Sequence, residues 1–450
     1  MKDEPTALRV PDPGIRALYT LQSRWQSWLD VEVALARAEA ELGMIPAAAA
    51  AVIAERARME NLDLERIEAA RLRTGHSIVP LVWELSRVCG EEAGGYVHWG
   101  ATTQNIIDTG EVLLLRQAHR IILGQLGRLL RCLGELAERT ASTPLPGRTH
   151  GQHAVPATFG YKVAVWIDEL ARAVERLRGL ETRAFASLQG GAAGTLASFG
   201  EQGFELAERI AAHLQLAPMQ TPSRAQGDRR AEYVCNLGIL AATCGKIGRE
   251  VYTLMKQEFG ELEEPVPPGT VGSSTMPQKR NPKLAQDVIA GSMEIRHLVP
   301  LALESMITEH EADRTTSITL RHAIEPALEL TGDVLERLVM IMEGLRVDEA
   351  RMRRNLDLSG GMILAESVML ELGRHVGRQL AHDLVYEAAQ AVATDGGAFS
   401  ERLAADPRIA EHVPAEVLDG LLDPTAYTGL CVQMAQDQAR RALELADTLV

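Results

Sequence analysis

Apolar residues recur three and four positions apart through most of the middle of the chain. From Glu111 to Arg139 they fall at Leu115, Ala118, Ile122, Leu126, Leu129, Leu133 and Leu136, and the next long segment repeats the spacing at Val163, Ile167, Leu170, Val174 and Leu177. This period lays one apolar stripe along a helix, and stripes of this length predict long helices packed side by side in a bundle. The two-residue alternation that marks strands is almost absent. Glycine and proline breaks divide the pattern into three. Residues 1–100 read as an N-terminal domain of short helices, with stops near Gly43-Met44-Ile45-Pro46 and Gly94-Gly95. Residues 101–345 read as the long-helix domain, interrupted at 143–147, Gly190-Gly191, 218–222 and 264–282. Residues 346–450 read as a C-terminal domain of shorter helices, broken at Ser359-Gly360-Gly361, Asp395-Gly396-Gly397 and Asp423-Pro424. The expected fold is all-α, with three domains around a central bundle of long helices.

Composition narrows the class. Of 450 residues, 46% are hydrophobic and 24% charged, the balance of a soluble globular chain, and only 4% are aromatic, which favours helix over sheet. With 46 basic against 61 acidic residues the net charge is −15, which argues against a nucleic-acid partner. An anionic ligand would need a local cationic pocket. The five cysteines are scattered without a CxxC pair, neither a long apolar run nor an apolar leader follows Met1, and no membrane partner is expected. A cytoplasmic location is the expectation.

Three polar clusters interrupt the helical pattern. Gly272-Ser273-Ser274-Thr275-Met276-Pro277-Gln278-Lys279-Arg280-Asn281-Pro282 follows a lead-in rich in proline, Glu264-Pro265-Val266-Pro267-Pro268-Gly269, and must be a loop. Small hydroxyl residues beside fixed cations suit anion recognition. Gly147-Arg148-Thr149-His150-Gly151-Gln152-His153 places two His three apart, at what reads as a loop–helix junction. No Cys and no HExxH accompany them, so neither metal nor cofactor is expected. Thr102-Thr103 precede the 111–139 stripe, where tandem Thr read as a helix cap.

GSSTMPQKRNP resembles the signature loop of the fumarase/aspartase superfamily at each defined position, and the likeness extends over nearly the whole chain. The resemblance implies elimination beside a carboxylate: Ser273 as the base, and Lys279, Asn281 and Ser274 holding the aci-carboxylate. The 147–156 block resembles the G-R-T-H-G-x-H-A-x-P block of that superfamily, which implies His150 as general acid and Thr149 as a substrate donor, with His153 structural. His98–Thr109 resembles a third block, implying Thr102 and Thr103 on a substrate carboxylate, with Asn105 where relatives carry an acid. Gln189-Gly190-Gly191 resembles a pocket-shaping turn, and Arg321 falls in a stretch that lines the pocket in relatives. Thr74-Gly75-His76-Ser77 resembles a block of the adenylosuccinate lyase branch, implying His76 in the site. The family also implies a homotetramer with shared sites and a small dicarboxylate substrate.

The branch stays open. His150 agrees with adenylosuccinate lyases, whereas Ser77–Val82 and the 354–358 and 421–427 tail segments look more like 3-carboxy-cis,cis-muconate cycloisomerases. Gln226-Gly227-Asp228-Arg229 lacks one Arg of the adenylosuccinate lyase pattern, and Gln286, followed by Asp287, stands where relatives pair a Glu with the acid His. The leading expectation is a lyase releasing fumarate, or a close analogue, from a small substituted succinate or aspartate. Carboxymuconate cycloisomerase, adenylosuccinate lyase and a catalytically silent structural member are the alternatives.

Overall fold

A computed structural model describes residues 10–266, 269–271 and 273–449. Five long helices, Thr103–Arg139, Phe159–Gly179, Asp228–Leu254, Lys283–Glu304 and Arg314–Gly344, make the bundle. The stripe from Leu115 to Leu136 is buried in its core, as are Val163, Ile167, Leu170, Val174 and Leu177. All-α is the right class. The first of these helices runs 37 residues without a break, about 55 Å at ~1.5 Å of rise per residue. That length decides below which side chains can meet.

Successive helices run antiparallel, so the bundle has two ends. At one end the start of the 103–139 helix meets residues 188–194, and Gly227 packs so closely on the 305–306 turn that a Cβ there would lie 3.1 Å from the Ser305 carbonyl. At the other end, Arg148 meets Glu261, and Glu263 pairs with Arg346. We call these the near and far ends.

The N-terminal region is not made only of short helices. Leu21–Glu41 spans 21 residues, and its Trp28 seats against Gly110, where a Cβ would come within 2.5 Å of the indole. Its apolar face (Trp25, Trp28, Leu29, Leu35) thereby joins one continuous core with the bundle. The C-terminal segment divides. Val368, Leu372, Leu384, Phe399, Leu403 and Ile409 form a separate core, while the last helix, Cys431–Asp447, returns to pack Ala439 and Ala442 against Gly134.

Strands exist where none were expected. Pro144–Thr149 and Gln152–Thr158 form an antiparallel hairpin, and two-residue pairs join Ala186–Ser187 to Ala217–Pro218 and Leu262–Glu263 to Arg346–Val347. Three prolines in the hairpin strands, Pro144, Pro146 and Pro156, hid them.

Candidate active site

The near end gathers the carboxylate-binding candidates. Thr102 holds the N-cap position of the 103–139 helix, with its backbone N–H donating to Asn105 Oδ1 at 3.3 Å. The same oxygen accepts from Gly191 N–H at 3.0 Å. The Asn105 oxygen thus accepts two backbone donors, while its buried Nδ2 has no hydrogen-bond partner among the described residues. Thr103 follows, half-buried. Gln189 is buried and donates from Nε2 to Thr109 Oγ1 at 3.4 Å. Gly190 and Gly194 both lie against the Pro222 carbonyl, where a Cβ would come within 2.4 and 2.5 Å, which accounts for the small-residue turn. Arg321, on the second turn of the 314–344 helix, lines a recess with Gln104, Asp108, Glu111, Arg230 and Ser317.

Sequence reasoning missed part of this end. Arg230 pairs with Asp108 at 3.3 Å, and Gln104 donates to the same carboxylate at 2.7 Å. Arg224 and Arg229 line an adjoining recess, and Arg224 Nε and Arg229 Nη1 are buried with no hydrogen-bond partner among the described residues. These arginines bring positive charge to the segment around Gly227. A side chain at 227 would sit tightly against the 305–306 backbone, which would have to give by a few tenths of an ångström. The available signal was the Arg229-Arg230 pair at the head of a new helix.

The far end holds the acid and base candidates. His150 lies in a hairpin, which corrects the expected loop–helix junction, since the following helix begins only at Phe159. Thr149 pairs directly with Gln152, leaving His150-Gly151 as a two-residue turn with φ of 53° and 76°. Positive φ at both positions is the primed turn that matches strand twist, and holding His there costs about 1 kcal/mol. Both Thr149 and His150 are exposed.

Arg148 anchors the turn through bonds of 2.6 and 3.1 Å to Glu261, which is fully buried and also accepts from Asn355 Nδ2 at 2.7 Å. The Arg148 guanidinium also lies 5.0 Å from the centre of the Phe259 ring. Burial, then the Arg148 charge, lowers the pKa of His153, so this ring is held neutral on the strand while His150 occupies the tip.

Ser273 Oγ accepts backbone N–H bonds from Met276 at 3.1 Å and Thr275 at 3.4 Å. Two amides aimed at one hydroxyl oxygen favour its deprotonated form. Ser274, Thr275 and Lys279 are exposed beside it, and Asn281 is half-buried. Pro267, Pro268 and Gly272, of the lead-in and signature loop, lie outside the described residues. Gln286 is exposed on the first turn of the next helix, whereas Asp287 is engaged by the buried Arg337 at 3.3 Å.

His76 stands apart in the N-terminal region. Its Nδ1 accepts from the backbone N–H groups of Val79 at 3.2 Å and Ile78 at 3.4 Å, at the head of the Val79–Gly94 helix. Nδ1 is thus an acceptor, and the ring proton is on Nε2. Among the described residues no group of three or more His, Cys, Asp or Glu is placed to hold a metal ion, and no helix is long and apolar enough to cross a membrane.

One chain therefore brings Thr102, Thr103, Gln189 and Arg321 to the near end, and Thr149, His150, Ser273, Ser274, Lys279 and Asn281 to the far end. The 103–139 helix lies between Thr103 and the hairpin.

Residues 7–296 match the family model described as Lyase, and residues 361–437 match that described as adenylosuccinate lyase C-terminus. The chain is 39% identical over 430 residues to N-acetyl-S-(2-succino)cysteine lyase of Dickeya dadantii (strain 3937), covering 96% of this chain and 94% of that one. It is 41% identical over 422 residues to 3-carboxy-cis,cis-muconate cycloisomerase of Pseudomonas aeruginosa, covering 92% and 91%. Among solved structures, a fumarate lyase from Mesorhizobium sp. BNC1 superposes with a TM-score of 0.89 at 35% identity, over 95% of this chain and 98% of that one.

Proposed function

The chain belongs to the lyase family of the fumarase/aspartase superfamily, and from that premise we propose that it carries out β-elimination on a small substituted succinate or aspartate, releasing fumarate or a close analogue. The observation that carries this reading is the pair of backbone amides on Ser273 Oγ. A serine is a poor base at neutral pH unless its alkoxide is stabilised, and these donors, with Lys279 six residues on, supply that stabilisation.

In the proposed step Ser273 removes the proton from the carbon beside one carboxylate. The electron pair delocalises into that carboxylate, which Lys279, Asn281 and Ser274 hold as the aci form. The C–X bond on the neighbouring carbon then breaks, the double bond forms, and His150, entering as the imidazolium, gives its proton to the departing X. The products are the unsaturated diacid and HX. Thr102, Thr103, Thr149, Gln189, Arg321 and His76 serve in binding the rest of the substrate. Since Asp287 is taken by Arg337, Gln286 is the residue of this helix left to meet a His150 imidazole.

A complete site needs more than one chain in this reading. The near-end donors and the His150 turn are separated by most of a helix of about 55 Å, and no substituted succinate bridges that span. Val165, Ile239, Met293 and Ile307 are exposed apolar side chains on or at the end of the long bundle helices, which supports association into the proposed homotetramer.

The relative that acts on an S-(2-succino) thiol places sulfur among the candidate leaving atoms, beside nitrogen and oxygen. Carboxymuconate cycloisomerase is the second reading, favoured by 41% identity and opposed by His150, which provides a leaving group with a proton donor. A panel of S-(2-succino)cysteine derivatives, argininosuccinate, adenylosuccinate and carboxymuconate, followed by ultraviolet absorbance, separates the readings. Fumarate from the substituted succinates supports elimination. Turnover of carboxymuconate alone overturns it.

A further inference from the structure

Pro282 heads the helix that follows the signature loop, and it brings no side-chain oxygen to cap it. The first-turn amides of such a helix need an acceptor. They find one about twenty residues upstream: Glu264 Oε1 accepts from Leu284 N–H and Oε2 from Ala285 N–H, both at 2.9 Å. The carboxylate also lies on the positive end of the helix dipole. Glu264 is 5% exposed, and burial pushes its carboxyl up to about 7 against the opposing pull of the amides.

Its neighbour explains why it points inward. Leu262–Glu263 pairs with Arg346–Val347, and residues that follow one another along extended backbone face opposite sides. Glu263 is turned toward solvent, where it binds Arg346 (Nε to Oε2, 2.7 Å) and Arg280 from the loop itself. Glu264 is turned inward to the helix. Lys283 Nζ adds a bond to the Val271 carbonyl at 2.8 Å. The segment that carries Ser273 is thus closed at its base by a buried carboxylate with both oxygens used.

We propose that Glu264 is a positioning residue for Ser273, its carboxylate locking the two stems of the signature loop together so that the Ser273 hydroxyl is presented at a fixed place. The proposal rests on Ser273 being the base. A displacement of about 1 Å at a reacting group costs on the order of a hundredfold in rate. Glu264→Ala is therefore expected to lower kcat by about 10- to 100-fold per folded protein, with KM changed less than about threefold. Glu264→Gln, which keeps one acceptor, should fall between Ala and wild type.

Hydrogen exchange supplies the structural arm: the Leu284 and Ala285 amides should lose protection in Glu264→Ala while amides within the 103–139 helix keep theirs. If Glu264→Ala does not fold, Glu264→Gln carries both measurements. Wild-type kcat in a variant whose Leu284 and Ala285 amides exchange freely overturns the proposal, and so does a rise in KM at constant kcat. Failure of the base assignment shows up separately, as an active Ser273→Ala.

Discussion

Mixing two inactive variants tests the division of the site between chains. His150→Ala removes the proposed acid at the far end, and Arg321→Ala removes a proposed carboxylate ligand at the near end. Loss of a general acid costs at least about a hundredfold, and loss of a charge-assisted hydrogen bond of up to about 3 kcal/mol costs a similar factor. Each variant alone should then retain about 1% of wild-type turnover. Arg321 shares its recess with Glu111, and from Glu111 to Arg139 the helix rises about 40 Å before the hairpin begins.

The two lesions therefore cannot meet in a site drawn from one chain. If each site takes its far-end and near-end residues from different subunits, random hybrids at equal input leave about one site in four with neither lesion. Activity should rise to about a quarter of wild type, some 25-fold above either parent. The assay is dissociation, mixing and reassociation, with native mass spectrometry to count hybrids and fumarate absorbance to read turnover. Hybrids that form without gain in activity would refute the argument, as would an active monomer. The same exchange with Ser273→Ala and His150→Ala asks whether the far end divides in turn, the base of one chain serving with the acid of another, which we expect.

Ser273→Ala should keep the helical circular dichroism and lower kcat at least about a thousandfold; turnover within about tenfold of wild type removes Ser273 from the mechanism. His150→Gln should slow substrates with basic leaving groups far more than those with acidic ones, and equal losses across a leaving-group series would assign His150 to binding. Gln286→Glu should raise the acid-limb pKa of the rate profile, because a carboxylate favours the imidazolium, and an unmoved limb would mean that the two residues do not touch. Glu39 is fully buried, and both its oxygens lack a hydrogen-bond partner among the described residues; burial, then the Glu32 charge, pushes its carboxyl from 4.5 to about 8. Unfolding releases that group to its ordinary value, so stability is fully present below pH 4.5 and is lost as pH rises toward 8. At pH 7 the loss is on the order of 3 kcal/mol, which Glu39→Gln should recover as a higher midpoint in urea and a flatter pH dependence; an unchanged midpoint would show that Glu39 is paired or hydrated.

Helical period is a local property, and the chain displays it openly. Leu115 to Leu136 predicted the seam of the 103–139 helix because residues three and four apart share a face whatever surrounds them. The polar clusters were legible for the same reason: proline and glycine stop a helix without help from the rest of the fold. Thr102 as a cap, the signature loop and the His150 block could all be located from their neighbours in sequence.

Backbone placement that depends on distant partners could not. The His150 hairpin is held by Arg148 on Glu261, a pairing across 113 positions, and its prolines disguise it as irregular chain. Glu264 reads as one of two consecutive acids until the 283–304 helix is seen to borrow it as a cap. Gly227 looks like a lost cation, and only the fold shows how closely the 305–306 backbone packs on it. Sequence alone thus determined the long central helices, the breaks between them and the residue types available for chemistry. Tertiary structure decided which buried groups satisfy one another, and it set the two halves of the candidate site at opposite ends of a rigid helix, because an unbroken ladder of backbone hydrogen bonds fixes its length.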